Sequence, residues 1–238
     1  MAFDFQDAGD NIVYGSMSLP SAYTWACWIN PDAVNTNARQ IISVRAGEPN
    51  GDAWLEFRAG TNNYLSFGFL DTNGDWEKAL WTSGFGAGEW HWVCGTWNGT
   101  TQTIYADVDS NSKATNNPGH DIKSGTENIS IGHHDVHGRV WDGKIAEVAM
   151  WNRVLSAGER LALGNGYSPL FMPNNLDFYA PLVRNEDDIM GKAGTNSGAA
   201  VAVHPRIFYP TNQIYRMEPT AAPATVRRYY SPGIWRAV

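Results

Sequence analysis

The 238-residue sequence has little charge, little cysteine and no long apolar run. Asp, Glu, Lys and Arg make up only 17% of it and the net charge is −7, so no overall excess of Lys and Arg exists to displace counterions from phosphates. This argues against a nucleic-acid binder that relies on bulk charge. The apolar runs fall far short of the ~20 residues of a membrane helix, which argues against membrane insertion.

The two cysteines, Cys27 and Cys94, are too few for a disulfide framework, and no Cys/His spacing typical of zinc accompanies them. We expect two buried free thiols, with a single disulfide between neighbouring strands as the alternative. The first twenty residues show neither the basic nor the apolar region of a secretory signal peptide, so this route of export is not predicted.

What the sequence does contain is the pattern of an all-β protein. Aromatics reach 13%, which excludes a disordered chain, and Gly, Pro, Asn and Asp punctuate short apolar or alternating segments. The predicted strands are Tyr23–Ile29, Ile41–Arg45, Ala53–Arg58, Tyr64–Leu70, Glu89–Trp97, Gln102–Val108, Asn128–Gly132, Gly143–Trp151 and Leu176–Leu182. Strands of this length and spacing are typical of a sandwich or jelly roll.

One helix is predicted, immediately after the Gly143–Trp151 segment. Ser156 and Glu159 have the spacing of a capping box, in which each side chain accepts a hydrogen bond from the other residue's backbone N–H. Gly164 is placed to end the helix. A helix this short needs tertiary contacts to be stable, so we expect it to close one end of the sandwich.

Charge divides the chain into two parts. Residues 201–238 hold five Arg and one acidic residue, a net charge of +4, whereas residues 1–200 hold 12 basic and 23 acidic residues, a net charge of −11. The last segment is also rich in Pro and aromatics. We predict a globular body over residues 1–210 and an extended basic arm over residues 211–238, since such a segment cannot bury a core of its own.

Three segments together carry a family resemblance. They are YTWACWI at 23–29, WHWVCGTWNG at 90–99, and ISIG at 129–132 followed by WDGKIAEVAMWNRVLS at 141–156. In order and spacing they resemble the laminin-G-like and pentraxin branch of the concanavalin A-like lectin/glucanase superfamily. The resemblance implies a jelly-roll sandwich of two antiparallel sheets. It also implies a binding module for carbohydrate or protein, often with calcium.

The resemblance points to Asp52 and Asp135 as calcium ligands, with Ala53 standing where relatives have Asn and with one acid in the later loop where they have several. Calcium needs six to eight oxygen ligands, so we expect it to be optional and no cofactor to be required. The surrounding cluster of His133, His134, Asp135 and His137 is either a polar surface loop or a transition-metal site.

Catalysis is not expected, although the superfamily includes glucanases. A retaining glycosidase needs two carboxylates about 5–5.5 Å apart, and the E-x-D-x-x-E pattern that would supply them is absent. Glu56 is an isolated acid in its strand, and Glu147 has Ile145 and Ala149 at the positions two residues away.

Some aromatic residues lie near predicted loops, where exposed rings can stack on sugars. The alternative is that they pack in the core, as expected for the tryptophans of the framework strands. The candidates for carbohydrate binding are Trp54, Tyr64, Trp76, Trp81 and Trp141.

The arm combines arginines with aromatic side chains, the composition of interface anchors. Its candidate assembly residues are Arg216, Arg227, Arg228, Tyr229, Tyr230 and Trp235. The segment before it, from Leu176 to Pro210, resembles the ending of laminin-G-like proteins encoded by bacteriophages. A flexible solvated tail is the alternative interpretation of the arm.

These observations lead to three hypotheses. The first is a non-enzymatic virion structural protein, a capsid decoration or fibre protein, whose arm binds other capsid subunits in a homo-oligomer or larger assembly. The second is a carbohydrate-binding lectin module, with or without calcium, that recognises host-surface glycans. The third is a glycosidase with an unrecognised carboxylate pair. The first hypothesis places the protein in the virion, and the alternative locations are the cytoplasm or the cell exterior by a non-classical route.

Overall fold

A computed structural model describes residues 2–7, 9–33, 38–44, 53–58, 64–108, 111–123, 125–134, 139–183 and 185–210. Over these ranges the chain forms two antiparallel sheets packed face to face, a small hairpin, one α-helix and a turn of 3-10 helix. The predicted all-β jelly-roll sandwich with a short helix is therefore confirmed. Residues 211–238, the predicted arm, lie outside the described residues.

The strands follow one another along the chain with short connections. In order they are β1 (Ala2–Phe5), β2 (Asn11–Ser18), β3 (Tyr23–Pro31), β4 (Ala38–Val44), β5 (Ala53–Arg58), β6 (Tyr64–Leu70), β7 (Trp76–Thr82), β8 (His91–Trp97), β9 (Gln102–Ala106), β10 (Ala114–Asn116), β11 (Thr126–Ile131), β12 (His133–His134), β13 (Arg139–Val140), β14 (Gly143–Trp151), β15 (Leu176–Ala180), β16 (Gly194–Ser197) and β17 (Ala200–Ala202). The α-helix α1 spans Ala157–Gly164, and the 3-10 helix spans Pro169–Phe171.

The larger sheet has eight strands, in the order β10-β9-β8-β3-β14-β1-β17, with β15 also paired to β14. The other has seven, in the order β16-β2-β11-β4-β5-β6-β7, and β12 pairs with β13 separately. The sequence analysis missed the longer strands β2 and β7 and the short strands β10, β12, β13, β16 and β17. Strand β7 lies at the edge of its sheet and exposes alternate residues to solvent, so it lacks the continuous apolar pattern of a covered strand.

Aromatic side chains fill the space between the sheets. The ring of Phe67, from the seven-stranded sheet, lies 5.7 Å from that of Tyr23 and 6.1 Å from that of Trp25, both in the eight-stranded sheet. Gly95 makes this approach possible, because a Cβ at that position would overlap the ring of Phe67. The burial of such large rings is the main favourable contribution to holding the two sheets together.

A second apolar cluster covers the outer face of the eight-stranded sheet. Its larger members are Trp92, Trp151, Leu155, Leu163, Met172 and Tyr179, and helix α1 lies over them. The predicted capping box is present, since Glu159 N–H donates to Ser156 Oγ at 3.3 Å and Ser156 N–H donates to Glu159 Oε2 at 2.8 Å. The helix covers the outside of one sheet, where we had expected it to close an end of the sandwich.

The two cysteines are free and buried, as the sequence analysis predicted. Cys27 pairs across the β3–β8 ladder with Val93, and Cys94 pairs with Ala26. A register offset of one residue turns their side chains to opposite faces, so Cys27 lies between the sheets and Cys94 lies beneath the helix. Burial raises the pKa of Cys94 to about 12 and raises that of Cys27 as well, so both remain unreactive thiols.

Within the described ranges, every helix is too short or too polar to span a bilayer.

The helix cap generates a prediction about acid stability. Arg153 donates to both carboxylate oxygens of Glu159, at 2.6 and 2.9 Å, and this pair, with the Ser156 cap, lowers the pKa of Glu159 from 4.5 to about 2. The carboxylate therefore stabilises the fold at pH values above about 4.5, and this contribution is lost as pH falls towards about 2. We expect Glu159→Gln to remove about 0.2–1 kcal/mol at neutral pH, because the pair is partly solvated.

Urea unfolding at pH 7 and pH 3 provides the measurement. The stability of Glu159→Gln should change less between the two pH values than that of the native chain. The exposed Glu89→Gln variant is the control and should follow the native chain. Equal pH dependence in all three proteins would contradict the assignment.

Candidate functional site

The outer face of the seven-stranded sheet carries polar groups where its neighbouring strands meet. The register of β4 to β7 places side chains on this face in two adjacent cross-strand rows. One row is Ser43, Trp54, Gly68 and Lys78, and the next is Gln40, Glu56, Ser66 and Leu80. Residues between them in sequence, such as Leu55 and Phe67, point into the core.

At the centre of this face, the buried side chains of Glu56, Gln40 and Ser66 form a polar floor. Glu56 is only 2% exposed, and its Oε2 accepts a hydrogen bond from Arg139 Nη1 at 2.7 Å. Gln40 is also buried, and its amide donates to the carbonyls of Ile42 and Leu55 at 2.7 and 3.3 Å. Buried polar groups are normally hydrogen-bonded, and here the partners come from β4 itself, β5 and β13, whereas Gln40 Oε1 has no partner among the described residues.

Beside this floor lies a pair of tryptophans. The indole of Trp54 packs on Gly68, where a Cβ would collide with it, and its Nε1 donates to Ser66 Oγ at 3.1 Å. Trp76 lies 5.3 Å from Trp54 between ring centroids and is 38% exposed. Gly68 and Ser66 thus fix Trp54 from two sides, while Trp76 lies at the sheet edge.

The structure places three of the five predicted aromatic residues on one face, and two of them, Trp54 and Trp76, are in contact. Trp54, Tyr64 and Trp76 all lie on the outer face of the seven-stranded sheet, although Tyr64 is about 13 Å along β6 from the Trp54 row. The prediction was wrong for Trp141, which is 0% exposed and packs in the core against Phe57. Trp81 faces the core side of β7 and packs against Phe85, so it does not lie on the outer face either.

Other predicted site residues lie outside the part of the chain that the structure describes. They are the two calcium candidates, Asp52 and Asp135, and the arm residues Arg216, Arg227, Arg228, Tyr229, Tyr230 and Trp235. Their roles stay predictions. Among the described residues, no group of three or more His, Cys, Asp and Glu side chains is arranged to hold a metal ion.

A second polar cluster, centred on Glu147, was not predicted. Ala146 pairs with Trp28 and Ala149 with Ala26, so β14 contains a bulge in which Glu147 has a φ of +56°. The bulge lets Ile145 and Val148 both reach the core, while Glu147 turns towards the opposite side of the sheet. The sequence analysis considered Glu147 only as a carboxylate without an acidic neighbour.

Glu147 is 3% exposed and is held by side chains from the C-terminal part of the body. Tyr179 donates to Oε2 at 2.6 Å, Tyr209 donates to Oε1 at 2.5 Å, and His204 Nε2 lies 3.2 Å from Oε1. Burial, and then the charge of Glu147, raises the pKa of both tyrosines, so their hydroxyls stay protonated and act as donors. The arrangement fixes the segment from His204 to Tyr209 on the body.

Comparison with protein families shows which superfamily the chain belongs to. A laminin-G-type model, described as the concanavalin A-like lectin/glucanases superfamily, matches residues 7–159. This is more than half of the chain, so the protein belongs to that superfamily, as the sequence resemblance implied. No curated protein sequence matches the chain.

Solved structures with the same fold include proteins of several kinds. The native heptameric SAP-like pentraxin of Limulus polyphemus has 16% identity and a TM-score of 0.59, and the match covers 85% of this chain and 94% of the pentraxin. A candidate carbohydrate-binding protein from Bacteroides ovatus ATCC 8483 has 18% identity and a TM-score of 0.64, covering 87% of this chain and 61% of that one.

A third structure contains a bound sugar. Domain 4 of AbnA, a GH43 extracellular arabinanase from Geobacillus stearothermophilus, was solved with arabinotriose and has 16% identity and a TM-score of 0.50. The match covers 63% of this chain and 72% of that domain. At these identities the similarity establishes the fold, and the fold is one that lectins and carbohydrate-binding modules share.

The Glu56–Arg139 pair generates a stability prediction. Arg139→Met removes the guanidinium from a buried carboxylate, so we expect a loss of about 2 kcal/mol, moderated by the partial exposure of Arg139. Glu56→Gln should cost less, because the amide oxygen still accepts a hydrogen bond. Denaturant unfolding of both single variants and the double variant gives the coupling energy. Strictly additive losses would contradict a direct interaction between the two side chains.

Proposed function

We propose that this protein is a non-enzymatic carbohydrate-binding module that holds its ligand on the outer face of the seven-stranded sheet. The observation that carries the proposal is the indole of Trp76, which is 38% exposed at the sheet edge, lies 5.3 Å from Trp54 between ring centroids and shares its side of β7 with Lys78. Sugars combine apolar ring faces with hydroxyl groups. Trp76 supplies a partly exposed ring and Lys78, on the same side of β7, supplies a polar donor, so this edge of the sheet suits them chemically.

The exposed part of the site favours an extended ligand. Trp76, Lys78 and Leu80 lie on the same side of β7, and the ends of this line are about 13 Å apart. Trp76 offers a ring for stacking, Lys78 offers an ammonium donor and Leu80 offers an apolar contact. We therefore propose an oligosaccharide, with successive sugar units arranged along β7, as the ligand class.

The two buried glutamates support binding without hydrolysis. Glu56 lies on the outer side of the seven-stranded sheet and is paired with Arg139. Glu147 lies on the outer side of the eight-stranded sheet and accepts from Tyr179 and Tyr209. The core of the sandwich separates them, so they cannot act together across the roughly 5–5.5 Å that a retaining mechanism requires.

The relatives add support at the level of the fold. One structural neighbour is described as a candidate carbohydrate-binding protein, and another was solved with arabinotriose. Calcium dependence, which the family resemblance implied through Asp52 and Asp135, remains part of the proposal as an optional feature.

Replacement of Trp76 tests the proposal. We expect the native chain to bind one or more oligosaccharides on a glycan array, and Trp76→Ala to weaken that binding at least about tenfold, as is typical of aromatic anchors. Phe171→Ala is the matched control, because Phe171 is similarly exposed but belongs to the opposite side of the molecule. Titration calorimetry with the best array ligand, in calcium and in EDTA, gives the affinities.

An array with no ligand under either condition would contradict the carbohydrate proposal. Equal losses in Trp76→Ala and Phe171→Ala would place the ligand elsewhere. Thermal unfolding of each variant shows whether a loss of binding reflects a loss of fold.

We retain the virion structural role predicted from the sequence as a second candidate function. One observation favours it: the Glu147 contacts fix Tyr209, so the basic arm leaves the body from a defined position. An arm with a fixed origin is suited to reach a neighbouring subunit, and 28 extended residues span up to roughly 90 Å. The capsid subunits and the phage relationship remain predictions.

Truncation after Pro210 tests this role. If the arm anchors the protein, the truncated chain should fold and yet be missing from purified virus particles that incorporate the full chain. Normal incorporation of the truncated chain would refute the anchoring role.

A further inference from the structure

A patch of exposed aromatic side chains lies on the side of the molecule away from the Trp54–Trp76 pair. It consists of Tyr167, Phe171, Phe208 and Tyr209, each between 41% and 47% exposed. The ring of Tyr167 lies 5.5 Å from that of Phe171 and 5.6 Å from that of Phe208. Contiguous exposed aromatics of this kind mark an interaction surface in a soluble protein. We call these four residues the aromatic patch.

The backbone around the patch is held firmly. Phe208 N–H donates to the carbonyl of Gly166 at 2.7 Å, and Ser168 N–H donates to the carbonyl of Phe208 at 2.9 Å. Tyr209 is fixed through its hydroxyl to Glu147. The patch is therefore a preformed surface, and binding to it does not require its residues to become ordered.

The chain that continues from Pro210 has the chemistry to cover this surface. Residues 211–238 contain three tyrosines, one tryptophan and four arginines against a single glutamate, a net charge of +3. Tyr, Trp and Arg are the side chains most enriched at the centre of interfaces, and arginine also stacks on aromatic rings. The body that carries the patch, residues 1–210, has a net charge of −10, so long-range attraction brings the arm towards it.

We propose that the aromatic patch is the docking site for residues 211–238 of the same chain. The arm begins at the edge of the patch, next to Tyr209, so its effective concentration there is in the millimolar range, far above that of a second molecule in dilute solution. The docked arm buries the exposed faces of Tyr167, Phe171 and Phe208 and places arginines against the acidic body.

This docking is independent of the carbohydrate proposal, because the patch and Trp76 lie on opposite sides of the sandwich. It also refines the virion candidate. An arm docked on its own body is not available to a neighbouring subunit. That subunit must bind the arm more strongly than the aromatic patch does in order to displace it.

Limited trypsin digestion of the full chain tests the docking. The arm offers trypsin cleavage sites at its four arginines, Arg216, Arg227, Arg228 and Arg236. Mass spectrometry follows the loss of the intact chain. We expect cleavage in the native protein to be slower than in a synthetic peptide of residues 211–238. We expect Phe171→Ser to accelerate it about tenfold, the effect of losing one aromatic anchor. Val108→Ser, at an exposed apolar residue of the body outside the patch, should leave the rate unchanged.

The outcomes separate the alternatives. Cleavage of the native arm at the rate of the free peptide overturns the proposal, as does an equal rate in Phe171→Ser and the native protein. Protection that increases with protein concentration overturns docking within one chain and indicates arm exchange between copies. Protection that is independent of concentration and sensitive to Phe171 supports the proposal. Glycan binding by the same variants reports separately on the carbohydrate site.

Discussion

The close contact between two face-packed sheets determines the rest of this structure. Alternate residues of each strand must enter a core filled by Phe67, Trp25 and their neighbours, and Gly95 is required where the two layers come closest. The remaining alternate residues are then released to the two outer faces. One outer face buries a second apolar cluster under helix α1, and the other carries the polar floor and the tryptophan pair. The same alternation that builds the core thus also creates two different surfaces.

The bulge at Glu147 shows how a local irregularity links these layers. A regular β14 could not direct both Ile145 and Val148 into the core, because residues three apart on a strand point to opposite faces. The extra residue resolves the conflict at the cost of a left-handed backbone at a non-glycine position. The displaced carboxylate then becomes the acceptor for Tyr179 and Tyr209. Packing in the core therefore accounts for a polar anchor on the outside, where the C-terminal segment is attached.

The sequence predicted the fold better than the site, and the reason is physical. Covered strands such as β3 and β14 have continuous apolar runs, and the Ser156–Glu159 box is local, so both could be recognised from neighbouring residues. Edge strand β7 has a weaker pattern. The site depends on register: Glu56, Ser66 and Leu80 become neighbours only through pairing between strands. Trp141 looked like a loop residue, yet it is buried because β13 and β14 bring it under Phe57.

The two proposed sites lie on opposite outer faces of the sandwich, and this separation determines whether they can influence each other. Trp76 and the polar floor face away from one sheet, while the aromatic patch and the origin of the arm lie beyond the other. The proposed ligand site on the first face shares no residue with the contacts that hold Tyr209. The proposed docking site beyond the second face shares no residue with the contacts that hold Trp54. Coupling between sites requires a shared element with two arrangements, and a core packed with interlocking rings resists such a change. We therefore expect the two proposed functions to operate independently, because the rigid sandwich lies between their sites.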